Sequence, residues 1–215
     1  MVIRKLKSLG ILLVTLTATF LAGCASNQAT KLAPLPNLST QNIQTAWKTN
    51  QAILQPIDSW EVSGVIGIRV KDKAQGANLF WRQTNKNQYI IQIYGTAGLG
   101  AISIKGRPDG SIVFKDSNGK ETYAKNIQDL MQERLGWSVP VIDMYYWGRG
   151  LPAPIASKEL SLNRFGLMSS LAQSGWQIQY DNFHMVQGRY PLPYKLVMKR
   201  GDLTVKVVIK SWLIN

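Results

Sequence analysis

The 215-residue sequence predicts a mainly β (α+β) domain, in which an antiparallel sheet of about ten strands is covered by two or three helices. From Trp60 onwards, apolar and polar residues alternate in short runs, the period of a strand with one buried face. Residues typical of turns separate these runs at hairpin distances. Other segments carry apolar residues at helical spacing, and such helices can cover the apolar face of the sheet.

The chain begins with a segment typical of an exported lipoprotein. Arg4, Lys5 and Lys7 form a basic region, and residues 11–20 are apolar apart from threonines. This composition is that of a secretory signal peptide, which is too short to span a membrane. The segment ends in Leu21-Ala22-Gly23-Cys24, which resembles the bacterial lipobox. The alternative is an ordinary signal peptide that happens to contain Cys24.

Acylation would determine where the protein works. The lipobox resemblance implies that residues 1–23 are removed and that Cys24 carries an S-diacylglycerol and an N-acyl chain. Several chains anchor firmly, because each buried methylene contributes roughly 0.8 kcal/mol. Ala25 stands where aspartate favours retention in the inner membrane, so the resemblance implies the outer membrane of a Gram-negative bacterium, facing the periplasm. Residues 24–40, with the lipidated cysteine, are polar and proline-containing, which predicts a flexible tether.

Residues 41–215 are expected to form a single domain, which opens with a helix and an antiparallel meander. Gln41–Gln55 follows the N-cap candidates Ser39 and Thr40 and has helical spacing. In Trp60–Lys71 the period changes to two, and shorter runs of the same kind follow. The residues that we expect on the apolar face are Ile66, Ile68, Trp81, Ile91, Ile93, Ile104 and Phe114.

The second half of the domain predicts two short helices and a return to strands. Asn126–Leu135 places Ile127 and Met131 on one helical stripe, with Asn126 as its cap and Gly136 as its end. Val141–Trp147 predicts a second short helix. Strands are expected at Trp176–Tyr180, Phe183–Gln187, Tyr194–Lys199 and Leu203–Lys210. Arg200-Gly201-Asp202 joins the last two, which favours a tight hairpin loop over an integrin-binding tripeptide.

The charge of the chain argues against a nucleic-acid partner. Removal of the leader lowers the formal net charge from +13 to about +10, a balance that often indicates nucleic-acid binding. The cations are scattered, however, without the dense blocks and interleaved aromatic residues of single-strand binders. Anionic lipid headgroups or an acidic partner are the preferred interpretation. A merely solvated basic surface is the alternative.

The sequence also argues against catalysis. His184 is the only histidine, and it lies between Phe183 and Met185 in a predicted strand. Cys24 is the only cysteine, so no disulfide forms and no free thiol remains after acylation. We find no nucleophile elbow, no metal-ligand spacing and no glycine-rich phosphate loop. We therefore expect no enzyme activity, no metal and no cofactor other than the covalent lipid on Cys24.

The order of the segments resembles the LolB family of outer-membrane lipoproteins over most of the mature chain. The similarity depends on the order and spacing of the matching pieces, behind a lipobox. These pieces are Phe80-Trp81-Arg82-Gln83-Thr84, Gly98-Leu99-Gly100, Asp116-Ser117-Asn118-Gly119-Lys120, Leu135-Gly136-Trp137-Ser138-Val139-Pro140, Trp147, Gly150-Leu151-Pro152, Leu192-Pro193 and Ser211-Trp212-Leu213-Ile214.

The resemblance implies a strongly curved antiparallel sheet of about eleven strands, an unclosed barrel with helices over its open side. It also implies that the apolar interior is a cavity for acyl chains, although the residues alone are equally compatible with a filled core. The cavity candidates are Ile66, Ile68, Trp81, Ile91, Ile93, Ile104, Phe114, Ile127, Met131 and Trp147. Ile127, Met131 and Trp147 are hypothesised to belong to the covering helices and to shift when lipid enters.

The resemblance further implies a function and partners. The protein would be a monomer that accepts acylated cargo lipoproteins from the periplasmic carrier LolA and inserts them into the lipid of the outer membrane without nucleotide hydrolysis. Two other functions stay open. An outer-membrane scaffold for envelope assembly would have a filled core and no lipid transfer. A lipid-active enzyme would need a base and a nucleophile, which we do not find.

Leu99 is the candidate residue for membrane insertion. The loop Gly95-Thr96-Ala97-Gly98-Leu99-Gly100 combines three glycines with one large apolar side chain. On the sequence alone, Leu99 could fold back onto the sheet as a hairpin plug. In LolB proteins the corresponding loop protrudes and carries an exposed leucine needed to release lipoproteins into the membrane. The resemblance therefore implies that Leu99 enters the bilayer.

Overall fold

The computed structural model describes residues 29–33, 39–95, 100–155 and 158–215. Within these ranges the helices are α1 (Thr40–Leu54), α2 (Ile127–Leu135) and α3 (Val141–Trp147). The strands are β1 (Thr30–Lys31), β2 (Trp60–Val70), β3 (Lys73–Gln83), β4 (Tyr89–Tyr94), β5 (Ile102–Gly106), β6 (Ile112–Lys115), β7 (Glu121–Ala124), β8 (Lys158–Leu162), β9 (Met168–Gln173), β10 (Trp176–Val186), β11 (Tyr190–Arg200) and β12 (Leu203–Ile214).

All the strands belong to one curved antiparallel sheet that does not close. Its order is β7-β6-β5-β4-β3-β2-β12-β11-β10-β9-β8, so the two halves of the chain meet where β2 pairs with β12. β1 stands off this path and pairs with the far half of β10. The predicted fold class, a mainly β unclosed barrel covered by helices, is therefore confirmed.

The predicted helices form close to their predicted boundaries. Ser39 caps α1, since its side-chain oxygen accepts a hydrogen bond from the backbone N–H of Asn42. Asn126 caps α2 through the N–H groups of Gln128 and Asp129. Gly136 ends α2 with a left-handed φ of 75°, a conformation that glycine adopts without steric cost.

Several predicted strand boundaries are wrong. Trp176–Tyr180 and Phe183–Gln187 are one continuous strand, β10, because Asn182 takes a φ of 54° without interrupting the ladder to β11. Strand β11 starts at Tyr190, before two prolines that sequence reasoning would place outside a central strand. We did not predict β1, β7, β8 or β9, whose short segments carry little alternation.

Gly64 of β2 lies close to the backbone of β12, near the register shift between Ile209 and Ser211. A Cβ atom at Gly64 would overlap the backbone carbonyl oxygen of Val208. A Cβ atom at Gly67, on the same strand, would meet no heavy atom within 4 Å. The two glycines therefore have different roles, although both lie in β2.

We expect Gly64→Ala to lower the free energy of unfolding by about 2 kcal/mol or more, because the backbone of β12 must move. Gly67→Ala is the matched control and should change stability by no more than about 0.5 kcal/mol. Urea unfolding followed by tryptophan fluorescence measures both variants. Equal midpoints for Gly64→Ala and Gly67→Ala would contradict the close approach.

Candidate functional site

An apolar cavity lies between the inner face of the sheet and the covering helices. Its lining combines residues of β2 to β5, β11 and β12 with Met131 of α2, Trp137 and Val139 of the segment after it, and Val141, Met144 and Trp147 of α3. Apart from Gly148, every lining residue has an apolar or aromatic side chain. Such a wall offers nothing to an ion or a sugar, whereas it suits a hydrocarbon chain.

The cavity is small in this conformation. Its volume is about 50 Å³, the space of only a few water molecules. A long acyl chain does not fit into that volume, so the walls must separate before such a chain can enter. The elements that hold the walls together therefore determine how the cavity opens.

Five tryptophans line the cavity, and three of them pack together at the start of β2. The ring centroid of Trp60 lies 4.7 Å from that of Trp81 and 5.3 Å from that of Trp212. The Nε1–H of Trp81 donates to Oε1 of Gln83 (2.8 Å), and that of Trp212 donates to the carbonyl oxygen of Pro193 (3.0 Å). Because both indole N–H groups donate to acceptors in the protein, the ring surfaces that face the cavity are apolar.

Hydrogen bonds fix the carboxyl-terminal half of α3 and the loop after it. The Nε1–H of Trp147 donates to Oε1 of Gln173 (2.9 Å), which also accepts the backbone N–H of Ala153 (2.9 Å). The Nε2 of Gln173 donates in turn to the carbonyl oxygen of Ala153 (3.0 Å). We call Trp147, Ala153 and Gln173 the Gln173 cluster. It joins α3 to β9, and all its hydrogen-bonding atoms are buried.

A second buried cluster joins α3 to the end of α1. Arg149 is only 1 % exposed, and its guanidinium donates to the carbonyl oxygens of Tyr145 (3.0 Å), Leu54 (3.3 Å) and Ile57. The guanidinium carbon also lies 4.1 Å from the centroid of the Tyr145 ring. The Tyr145 hydroxyl donates to Oδ1 of Asp58 (3.0 Å). We call these residues the Arg149 cluster.

Burial changes the acid–base properties of the Arg149 cluster. It raises the pKa of Tyr145 to about 12 and lowers the pKa of Arg149, since burial disfavours the charged form of each group. Tyr145 is therefore a neutral donor at physiological pH. Arg149 keeps its charge, because a guanidinium does not deprotonate in proteins. The cluster thus holds α3 against α1 across the physiological pH range.

Helix α2 is held differently. Its buried residues Ile127, Leu130 and Met131 pack against the core. Among the residues that the structure describes, the side chains of α2 make no hydrogen bond to another element; their polar contact is the ion pair of Arg134 with Glu133. Apolar packing alone therefore attaches α2 to the sheet.

The structure brings most of the predicted cavity residues to the cavity wall. Seven line it: Ile66, Trp81, Ile91, Ile93, Ile104, Met131 and Trp147. The other three pack elsewhere in the interior. Phe114 and Ile127 are buried in the core cluster, and Ile68 is half-buried against it. Cys24 and Leu99 lie outside the described residues.

Sequence reasoning missed an entire side of the cavity. Leu196 and Met198 of β11 and Val205, Val207 and Ile209 of β12 line it. Their alternation was visible in the sequence, but only the pairing of β12 with β2 places them opposite α2 and α3. Trp137, Val139 and Met144 were missed as well, because the linker and the short helix carry no clear period.

The described residues hold little that could support catalysis. His184 packs against Tyr194, with ring centroids 4.8 Å apart, and it does not line the cavity. Among these residues no group of three His, Cys, Asp or Glu side chains could hold a metal ion. Over the same ranges we find no helix with the length and apolar character that crossing a bilayer requires.

Comparison with known proteins identifies the family of this chain. A family model described as "Outer membrane lipoprotein LolB" matches residues 58–212. The outer-membrane lipoprotein LolB of Francisella tularensis subsp. tularensis is 38% identical over 194 residues, which cover 90% of this chain and 89% of the relative. LolB of Pseudomonas fluorescens is 34% identical over 193 residues, covering 90% of each chain.

A comparison with solved structures finds similarity to a LolA superfamily protein from Nitrosomonas europaea. The two proteins are 13% identical with a TM-score of 0.44, and the match covers 83% of this chain and 94% of that protein. The family assignment itself comes from the sequence matches, which cover 90% of this chain. The chain belongs to the LolB family of outer-membrane lipoproteins.

Proposed function

We propose that this protein accepts acylated lipoproteins from the periplasmic carrier LolA and inserts them into the outer membrane. In this proposal Cys24 carries the acyl anchor, the cavity beneath α2 and α3 receives the acyl chains of the cargo, and Leu99 contacts the bilayer. The observation that carries the proposal is the uniformly apolar lining of the cavity in a member of the LolB family. The role is that of a receptor rather than an enzyme.

Apolar burial can drive the transfer without nucleotide hydrolysis. An acyl chain in hydrocarbon gains roughly 25 cal/mol for each Å² of apolar surface removed from water. The receptor must hide the chains better than the carrier does, and less well than the bilayer. The small cavity contributes to this intermediate affinity, because part of the free energy of burial is spent on separating its walls.

We expect α2 to be the element that moves when cargo enters. An acyl chain can replace the apolar contacts of Met131 and its neighbours, but it cannot replace hydrogen bonds. The Gln173 and Arg149 clusters should therefore keep Trp147 and the end of α3 in place. This expectation restricts the shift hypothesised for Ile127, Met131 and Trp147 to the first two residues.

Distances between pairs of spin labels test this expectation. One pair joins Glu133→Cys on α2 to Lys105→Cys on β5, and the control pair joins Ile155→Cys to Lys105→Cys, all at exposed positions. Cys24→Ala removes the competing thiol. Loading with a triacylated lipopeptide should lengthen and broaden the first distance and leave the second unchanged. A fixed first distance, or equal changes in both, would contradict the expectation.

The transfer itself is tested by mixing the Cys24→Ala chain with LolA loaded with a lipoprotein. We expect cargo to move onto this chain without nucleotide, as measured by pull-down of each partner. Tagged LolA that keeps its cargo would refute the acceptor role. The family fold would then serve an envelope scaffold, the alternative that predicts no acyl-chain binding.

A further inference from the structure

Strand β1 shortens the connection between the acylation site and the folded domain. Thr30 pairs with Met185 and Lys31 with His184, on the edge of β10 that β9 leaves free. Only residues 25–29 separate Cys24 from Thr30, so Cys24 lies within about 20 Å of the paired strand. Without β1, the chain from Cys24 to the start of α1 at Thr40 could reach about 55 Å.

The direction of the strands defines which end of the sheet is close to Cys24. β1 pairs near the end of β10, beside the β10–β11 turn at residues 187–189. The β8–β9 turn at residues 163–167 lies at the same end. We call β1 and these two turns the proximal end. The β2–β3, β6–β7 and β11–β12 turns lie at the opposite, distal end.

The proximal end carries cations without acids. Lys31, Arg164 and Arg189 are exposed there, and none of them forms an ion pair with a residue that the structure describes. The sequence has no Asp or Glu in residues 24–57, 160–180 or 182–200. Asp181, between the last two segments, pairs with Lys195 (3.1 Å). β1 and these two turns are therefore positively charged, whereas the β5–β6 turn at the same end of the sheet carries Asp109.

Each of the two proximal turns also pairs its arginine with an aromatic ring. The guanidinium carbon of Arg164 lies 5.0 Å from the ring centroid of Phe165, and that of Arg189 lies 5.3 Å from the ring centroid of Tyr190. Beside them, Leu32 and Met185 line a groove of about 510 Å³, whose other wall includes polar side chains of α1 such as Thr45 and Thr49. Cations beside aromatic rings are typical of surfaces at the level of lipid headgroups.

We propose that the proximal end faces lipid while the protein rests on its anchor, and that Lys31, Arg164 and Arg189 then lie on anionic headgroups of the membrane that holds the anchor. The proposal rests on the acylation of Cys24 in the proposed function. The short connection through β1 keeps this end near the bilayer, and the acid-free, cationic composition matches an anionic lipid surface. Lipid rather than protein is the occupant, because the anchor places lipid within reach at all times.

Fluorescence quenching in vesicles tests the proposal with the mature acylated chain. A fluorophore on Gln187→Cys reports the proximal end, and one on Asn118→Cys, in the β6–β7 turn, reports the distal end. The vesicles contain phosphatidylcholine, phosphatidylglycerol and a lipid with a nitroxide on its headgroup. We expect several-fold stronger quenching at position 187 than at position 118.

Charge variants identify the contact. Lys31→Gln/Arg164→Gln/Arg189→Gln should weaken the surface contact by about a hundredfold and bring quenching at position 187 down to that at position 118. Vesicles of phosphatidylcholine alone should have the same effect. The matched control, Arg69→Gln/Lys71→Gln/Lys73→Gln, removes the same charge at the distal β2–β3 turn and should leave quenching unchanged.

Three results would overturn the proposal. Equal quenching at positions 187 and 118, in a chain that still floats with the vesicles, overturns the proposed lipid contact of the proximal end and leaves the proposed function intact. If the Lys31→Gln/Arg164→Gln/Arg189→Gln variant slows delivery from the carrier but keeps its quenching at position 187, these cations bind an acidic protein rather than lipid. A chain that does not float with the vesicles lacks the acyl anchor, and this result overturns the anchored form of the proposed function together with the surface.

Discussion

Leu99→Glu is expected to leave the uptake of cargo intact and to abolish its insertion into the bilayer. A leucine that enters hydrocarbon contributes about 1.5–3 kcal/mol, whereas a carboxylate near the bilayer centre costs about 2.5–3.5 kcal/mol. The combined difference of about 4–6 kcal/mol corresponds to at least a hundredfold loss of insertion. Transfer of a labelled lipoprotein from the loaded variant to vesicles measures this loss, and pull-down of cargo measures uptake.

The same variant separates the two roles that the sequence leaves open for Leu99. If Leu99 folds back onto the sheet, a buried carboxylate should lower the melting temperature as well as the transfer rate. If Leu99 contacts the bilayer, the melting temperature should not change. Leu213→Glu is the matched control, since Leu213 is an exposed leucine (39 % exposed) elsewhere on the sheet. Normal insertion by Leu99→Glu would refute the role of this residue.

The position of the flanking strands adds a geometric condition to insertion. Strand β4 ends at Tyr94 and β5 begins at Ile102, both at the distal end of the sheet, whereas β1, which begins six residues after Cys24 in the sequence, lies at the proximal end. Contact of Leu99 with the bilayer therefore requires the domain to turn relative to its anchor. Release of the two-residue pairing of β1 would supply the length of chain for this turn.

Arg149→Ala is expected to lower the free energy of unfolding by about 2–4 kcal/mol. The substitution removes the donor to the buried carbonyl oxygens of Tyr145, Leu54 and Ile57, and it leaves the space of a large side chain that is only 1 % exposed. A loss of this size corresponds to a fall of about 5–15 °C in the melting temperature of a domain of this length. Thermal unfolding followed by circular dichroism measures it.

Two further variants make the test of Arg149 specific. Arg149→Lys keeps the charge but loses the planar fork, so it should fall between the wild type and Arg149→Ala. Arg164→Ala removes an exposed arginine that also lies over an aromatic ring, and it should change stability by less than about 0.5 kcal/mol. If Arg149→Ala and Arg164→Ala had the same melting temperature, the Arg149 cluster would not hold α3 in place.

The Arg149 cluster could not have been predicted from the sequence. A single arginine between glycines, in Gly148-Arg149-Gly150, has the composition of an exposed loop. Three backbone carbonyls from the end of α1, the segment after it and α3 converge on its guanidinium. Leu54 and Ile57 lie 95 and 92 residues before Arg149 in the chain, so only the packing of α3 on α1 reveals these partners of the cation.

The sequence alone determined the elements whose signal is local. Alternation identified the apolar face of β2 to β6, and helical spacing with Asn126 and Gly136 at its ends identified α2. The Leu21-Ala22-Gly23-Cys24 motif likewise predicted export and acylation, a prediction that the described residues do not test. These features depend on neighbouring residues, so the linear order of the chain is sufficient to recognise them.

Only the tertiary structure decided which apolar residues form a wall and which fill the interior. Ile66 and Ile68 occupy equivalent positions on one strand, yet Ile66 lines the cavity and Ile68 packs at its margin. Phe114 has the same apolar pattern and is buried in the core. Alternation specifies the face of a strand, but what lies opposite that face depends on sheet curvature and on long-range pairing such as that of β2 with β12. The placement of β1 against β10 has the same origin, because a two-residue strand carries no period of its own.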